Sequence, residues 1–436
     1  MVQGKPLRHT AIRIFGSAIL CLGLVSSIHA TPFRLLAIGD SLTEEYRFET
    51  LFSAPDSDFL VANTKNWVEL LHAHRPTLFT MGGYEPSLGN YFDFRNAGYE
   101  YNYGVPGFKA ERWDEVLYRE YSIIDLLDPE NSLALSTKEE LRGDLASVDA
   151  VLIFVGGNDL SLTNDEIKNN EIKVFIGRIH DYVRNNAPPN LPIIISTVPD
   201  IGATPDEQIS DPTTAAAARQ RVAILNSNIA NFSSRQDTYI ARIDAITDFI
   251  FDTEPIHLNG TEFSYPPDPE NPPLTFFCKL GFHPASAGQA LIANEILKAI
   301  NQFATTPIPL FTNREILSDI IGQNPEQPYL DYAGGAGSML DNPDGDALPN
   351  LIEFLLATNP TQSNAGFTFL PGGGAKFTPS STAQRFADLT VLQSETLAND
   401  WIPVPESNIQ TLTDGSTKII PSSQKLFYKF QATPKP

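Results

Sequence analysis

Short apolar runs with almost no polar alternation constrain this chain most. Residues 33–38, 150–155 and 193–198, and more weakly 239–243, are rich in Val, Ile and Leu. A strand with one wet face alternates apolar and polar residues, whereas a continuous apolar run needs cover on both faces. Between the runs, helical periodicity appears around 67–74, 112–127, 165–184, 213–232 and 286–300. Strands alternating with helices form βα units that feed a parallel sheet. The expected fold is therefore α/β, a three-layer α/β/α arrangement over residues 31–304.

Two interruptions, 44–101 and 251–279, are long, polar and aromatic, and loops of that length in an α/β domain are usually functional walls or lids. The stretch Thr305-Thr306-Pro307-Ile308-Pro309 breaks helical periodicity and suggests a boundary. Residues 305–366 then read as a linker with one helix-like segment near 314–321. Residues 367–436, rich in Thr and Ser with short β-branched runs, read as a small β module resembling a sandwich.

The first 30 residues carry Lys5, Arg8 and Arg13, an apolar run from Ala18 to Val25, and Ser26-Ser27-Ile28-His29-Ala30. This is the pattern of a cleaved secretory signal, and its apolar run is far short of the ~20 residues of a membrane span. The expectation is a secreted or cell-surface protein. Removing three cations takes the formal charge from −22 to −25. Such an acidic surface repels phosphate backbones and anionic headgroups, so neither nucleic acid nor stable membrane insertion is expected. Cys21 lies in the leader, which leaves Cys278 as one thiol and excludes an internal disulfide in the mature chain.

Four blocks fall at expected strand ends or helix starts along one edge of the sheet. They are Gly39-Asp40-Ser41-Leu42, Asn102-Tyr103-Gly104-Val105-Pro106-Gly107, Gly156-Gly157-Asn158-Asp159 and His283-Pro284. Open α/β sheets bind ligands at that edge.

In this order the blocks resemble those of the SGNH/GDSL hydrolases, a family of serine esterases and lipases, over roughly residues 33–303. The resemblance implies a flavodoxin-like sheet and an ester substrate, with Ser41 as nucleophile and His283 as general base. It also implies an oxyanion hole made by the backbone amides of Ser41 and Gly107 and the Asn158 side chain. The chemistry agrees. A serine hydroxyl is a weak nucleophile until an imidazole takes its proton, and the oxyanion formed on ester attack needs fixed donors. No cofactor is implied for catalysis.

One position departs from the family pattern: Leu280 stands three residues before His283, where an Asp usually orients the imidazole. The Leu280 carbonyl, a carboxylate from Asp268 or Glu270, and a Ser–His dyad with no orienter are the alternatives. His72, His74, His180 and His257 have no ligand-type spacing and read as surface or locally bonded residues.

The stretch from Asn342 to Glu353 fits a twelve-residue calcium loop. Asn342, Asp344, Asp346, Asn350 and Glu353 supply oxygens at positions 1, 3, 5, 9 and 12, and the Leu348 carbonyl supplies position 7. It resembles the calcium loops of EF-hand, dockerin and thrombospondin type 3 modules, except that Asn342 replaces an Asp and Ala347 a Gly. An Asx-rich turn capping a helix is the alternative; on the calcium reading the ion is structural.

The functional expectation is a secreted esterase acting on a carbohydrate acetyl ester or a lipid ester. Tyr84, Tyr91, Phe92, Tyr99 and Tyr101 are available either to stack on a substrate ring or to pack. The alternative is a decayed hydrolase scaffold that binds extracellular polysaccharide.

Overall fold

The first strand, β1 (Phe33–Gly39), explains the apolar runs. Leu35 and Ala37 point into one core and Leu36 and Ile38 into another, all with no exposed surface. Strand β4 (Ala150–Phe154) divides its side chains the same way. Period-two alternation is present but invisible in the sequence, because both faces are dry.

The computed structural model describes residues 31–46, 64–85, 91–95, 97–160, 166–206, 211–252, 255–268, 270–398, 400–422 and 426–436. The expected leader at 1–30 and parts of both long interruptions lie outside the described residues. In chain order the remaining elements are α1 (Trp67–His74), β2 (Phe79–Thr80), β3 (Asn102–Gly104), α2 (Ala110–Tyr118) and α3 (Pro129–Asp144) before β4. After it come α4 (Glu166–Asn186), β5 (Ile193–Ser196), α5 (Pro212–Ala230), β6 (Thr238–Ala241), α6 (Ala245–Asp252) and α7 (Ser286–Ile300).

The sheet is parallel, in the order β2-β1-β4-β5-β6, with β3 continuing the β2 edge along β1. This is a doubly wound, flavodoxin-like order, with the switch point between β1 and β4. Helices α1, α6 and α7 cover one face, and α2, α3, α4 and α5 cover the other. No helix among the described residues is long and apolar enough to cross a membrane.

The expected helix over 112–127 is a correction. The helix there is Ala110–Tyr118, followed by a non-helical stretch, a single 3-10 turn at Asp125–Leu127 and a second helix, α3, that the periodicity did not show. Asp128 caps α3 through the Glu130 amide, with Pro129 in the first turn. Only Ala134, Thr137 and Leu141 of α3 are buried, too few for a visible stripe.

Residues 305–321 pack onto the α1/α7 layer, where Ile308, Phe311, Ile316 and Leu317 belong to the same core as Trp67 and Leu297. Arg75 joins the two parts, pairing with Glu315 at 2.6 Å and donating to the Pro309 and Leu310 carbonyls. Pro32–Pro436 is one contact unit.

Further on come α8 (Gln327–Ala333), α9 (Asn350–Leu356) and a β-rich region of one four-stranded and one three-stranded antiparallel sheet. Leu348, Ile352 and Leu356 share a core with Phe377, Val391, Ile419 and Phe430 of those sheets.

Candidate active site

Strand β1 ends at Gly39, and the chain folds back so tightly that a side-chain carbon there would lie 2.4 Å from Thr43. The Thr43 and Glu44 amides donate to the Asp40 carbonyl, and the Asp40 carboxylate accepts from the Leu42 amide at 3.0 Å. This turn lifts Ser41 over the sheet edge. From α2, the fully buried Trp113 donates its indole N–H to the Gly39 carbonyl at 2.9 Å.

His283 reaches the same point from the far end of the domain. Its carbonyl accepts from Cys278 N at 2.8 Å, and Gly281 turns the loop at φ +74°. Ser41 Oγ and His283 Nε2 lie 2.9 Å apart, and both residues are buried. Burial pushes the imidazole down to about 4. At neutral pH it therefore lacks a proton, the form in which it can accept one from serine.

Among the described residues, Ser41 is the one side-chain hydrogen-bond partner recorded for His283. The Asp268 carboxylate accepts from the Glu270 amide instead, Glu270 is exposed, and Leu280 contributes no bond to the ring. Aromatic edges flank the imidazole: Phe282 at 5.0 Å and 77°, and Tyr46 at 6.4 Å and 83° between ring planes.

Asn158 and Gly107 complete the constellation. Gly156, at φ +116°, turns the chain after β4 and presents Asn158, whose amide donates to the Phe108 carbonyl at 3.0 Å. Gly107 has φ +74°, the left-handed region that favours glycine, and nothing within 4 Å of where a side chain would start. Ser41, Gly107, Asn158 and His283 line one open cleft with Pro106, Asp206, Leu280 and Phe282.

Sequence reasoning missed what ties these loops together. The Asp159 carboxylate accepts from the Ala110 amide at 2.7 Å and the Glu111 amide at 3.2 Å. It thus caps α2 from another element, where Lys109 at the cap position makes no side-chain bond. The adjacency of Asp159 to Asn158 was the only available signal.

The aromatic residues of the first long loop do not line this cleft. Tyr99 stacks on His72 and meets the Tyr84 edge, Tyr91 lies against Arg95, Tyr101 packs against both cores and Phe92 is exposed.

At the second predicted site, Asp344, Asp346 and Glu353 bring carboxylate oxygens within 4.8 Å of one another. Asn364, outside the twelve-residue loop, joins them. Its backbone N–H donates to Asp346 Oδ2 and its amide to Glu353 Oε1, each at 2.8 Å. Asp344 Oδ2, Glu353 Oε2 and Asn364 Oδ1 are buried without a donor. Burial, and after it the Asp344 and Asp346 charges, push the Glu353 carboxyl up against the bond from Asn364.

Asn342 is used inside the turn, accepting from the Gly345 amide and donating to the Asp346 carbonyl. Asn350 donates to the Ala336 and Ser338 carbonyls while its Oδ1 is buried without a donor, and the Leu348 side chain enters the C-terminal core. Three carboxylates, two of them with an orphaned buried oxygen, and the orphaned Asn364 oxygen make a set of hard donors that fits a calcium ion.

No curated protein matches the chain. A family model described as GDSL-like Lipase/Acylhydrolase matches residues 35–296, the span that holds Ser41, Gly107, Asn158 and His283. That match covers more than half of the 436 residues, and with it the chain belongs to the GDSL-like lipase/acylhydrolase family of ester-hydrolysing enzymes.

Proposed function

We propose that this chain is an exported serine esterase working through a Ser41–His283 dyad. The observation that carries the reading is the 2.9 Å contact between Ser41 Oγ and a buried His283 Nε2 at the floor of an open cleft. His283 takes the Ser41 proton as Oγ bonds to the ester carbon. The carbonyl oxygen gains charge opposite the amides of Ser41 and Gly107 and the Asn158 side chain. The tetrahedral species collapses, the carbon–oxygen bond to the alcohol breaks, and His283 returns the proton to the leaving oxygen. Water then repeats the sequence on the acyl-enzyme and frees the acid and Ser41.

With Leu280 where the family places an Asp, packing between Tyr46 and Phe282 holds the ring in this reading. Export rests on the leader pattern of residues 1–30. We assign Asp344, Asp346, Glu353 and Asn364 to a structural calcium ion that stabilises the base of the C-terminal region and takes no part in the reaction. The sequence leaves an acetylated carbohydrate and a lipid ester as the substrate alternatives.

Hydrolysis of p-nitrophenyl acetate by the purified protein, beside a Ser41→Ala control, tests the reading. Turnover abolished in the control supports it. Absence of Ser41-dependent turnover in the folded protein favours the polysaccharide-binding scaffold.

A further inference from the structure

The base of the proposed dyad stands on a hairpin. Cys278 N donates to the His283 carbonyl at 2.8 Å and Ala285 N to the Phe276 carbonyl at 2.9 Å, which sets Phe277 opposite Pro284, the residue after the base. Among the described residues, no side chain but Ser41 bonds the imidazole. The ring therefore stands where this backbone stands.

The segment 200–206 grips the hairpin from outside. Asp206 N donates to the Gly281 carbonyl at 3.1 Å, and a side chain on Gly281 would start 3.2 Å from Pro205. The segment is itself fixed to α5. Asp200 accepts from Arg219 Nε at 3.2 Å, and a side-chain carbon on Gly202 would lie 2.3 Å from the Ala215 carbonyl.

Tyr265 makes the second tie between the two. Its hydroxyl donates to the Ala203 carbonyl at 2.6 Å, and its ring stands at 89° to that of Phe277, with centroids 5.8 Å apart. Its neighbour Ser264 is bonded into the same hairpin, donating from N to the Leu274 carbonyl at 2.8 Å and accepting from Phe276 N at 3.2 Å.

We propose that Tyr265 is a positioning residue for His283, tying the hairpin that carries the base to the 200–206 segment in a chain whose position 280 offers no carboxylate. The inference rests on the serine-esterase reading and deepens it. Tyr265 lines neither hollow beside Ser41, so it acts through the base and not on the substrate. Ala203 is buried, and a buried carbonyl deprived of its donor draws the chain toward another one. Without the hydroxyl, the hairpin keeps only the Asp206–Gly281 bond to that segment.

The experiment compares Tyr265→Phe with the wild type at a temperature where both are folded, measuring kcat and KM for p-nitrophenyl acetate across the acid limb. A misplaced base lowers kcat by about tenfold and leaves KM little changed. The limb moves up from about 4 toward the ordinary imidazole value, because a loosened ring meets water. A loss of stability alone moves neither quantity.

An unchanged kcat in the folded variant overturns the proposal. So does a higher KM with kcat kept, which is the mark of a substrate contact, and so does a lower kcat with the limb unmoved. Should Tyr265→Phe not fold, Arg219→Gln frees the same segment from α5 and is read by the same measures. Failure of the esterase reading is distinguishable, because the wild type itself would then show no Ser41-dependent turnover.

Discussion

Tyr46 stands edge-on to the His283 ring and ties itself to the residue after it, its hydroxyl donating to the Pro284 carbonyl at 3.1 Å. Gln289, fully buried on α7, donates to the same hydroxyl. Catalytic geometry tolerates little misplacement, about an ångström being worth 10²-fold. Tyr46→Ala should lower kcat by about tenfold to a hundredfold with KM little changed, while Tyr46→Phe keeps the ring and most of the rate. Steady-state kinetics on one ester checks both.

The pH profile follows from the buried imidazole. Protonated His283 cannot accept the Ser41 proton, so activity is present above its pKa and lost as pH falls through it. Burial pushes that pKa down to about 4. The expected kcat/KM profile of the free enzyme is level from about pH 5 to 8, with its acid limb near pH 4. A limb near 6.5 would show a solvated imidazole instead.

Asp159 should matter to both stability and rate. Asp159→Ala leaves two amides at the start of α2 without their acceptor, a loss of about 1–3 kcal/mol. It also removes the tie between the start of α2, three residues after Gly107, and the turn that carries Asn158. Thermal unfolding should report the first effect, and the second should appear as a fall in kcat at a temperature where the variant is folded. Asn158→Ala, by contrast, removes one donor of the proposed oxyanion hole directly, with an expected loss of about 2.7–4 kcal/mol of transition-state stabilisation.

Phe311 tests how far the α/β core extends past residue 304. Its ring is buried beside α1 and α7 with the Arg75 guanidinium 4.4 Å from its centre. Phe311→Ala should destabilise the whole α/β core by about 3–5 kcal/mol, seen as a lower midpoint in denaturant for activity and fluorescence together.

Calcium should raise the thermal transition of the metal-free protein, by about 2.7 kcal/mol of stability at a hundredfold excess over Kd, and chelation should reverse it. Glu353→Gln should abolish the response while leaving Ser41-dependent turnover in place.

Strands covered on both faces were legible because a short, unbroken run of Val, Ile and Leu bounded by turn residues fits little besides a strand dry on both sides. The expected run 33–38 became Phe33–Gly39, and the expected helix at 286–300 is Ser286–Ile300. Helix α3 escaped notice because only three of its residues are buried. Strands β2 and β3, with two and three residues, are too short to carry a period.

At the site, the motif blocks carried Ser41, Asn158 and His283, since each sits beside a turn that glycine or proline betrays. The apolar hollow beside Ser41 and His283 left no such trace. Residues as far apart as Leu42 and Ile292 line it, and their shared surface exists only in the folded chain. Asn364 was hidden because it enters the carboxylate cluster from beyond the twelve-residue loop.

The two groups of the proposed dyad are 242 residues apart in the chain, Ser41 placed by the turn after β1 and His283 by the loop before α7. A ribosome therefore releases the serine long before the imidazole exists, and a partly made or unfolded chain has nothing to draw off the serine proton. Ester cleavage in this protein is a late event of its own folding, and the newborn chain is chemically silent toward the acyl compounds of the cell that makes it.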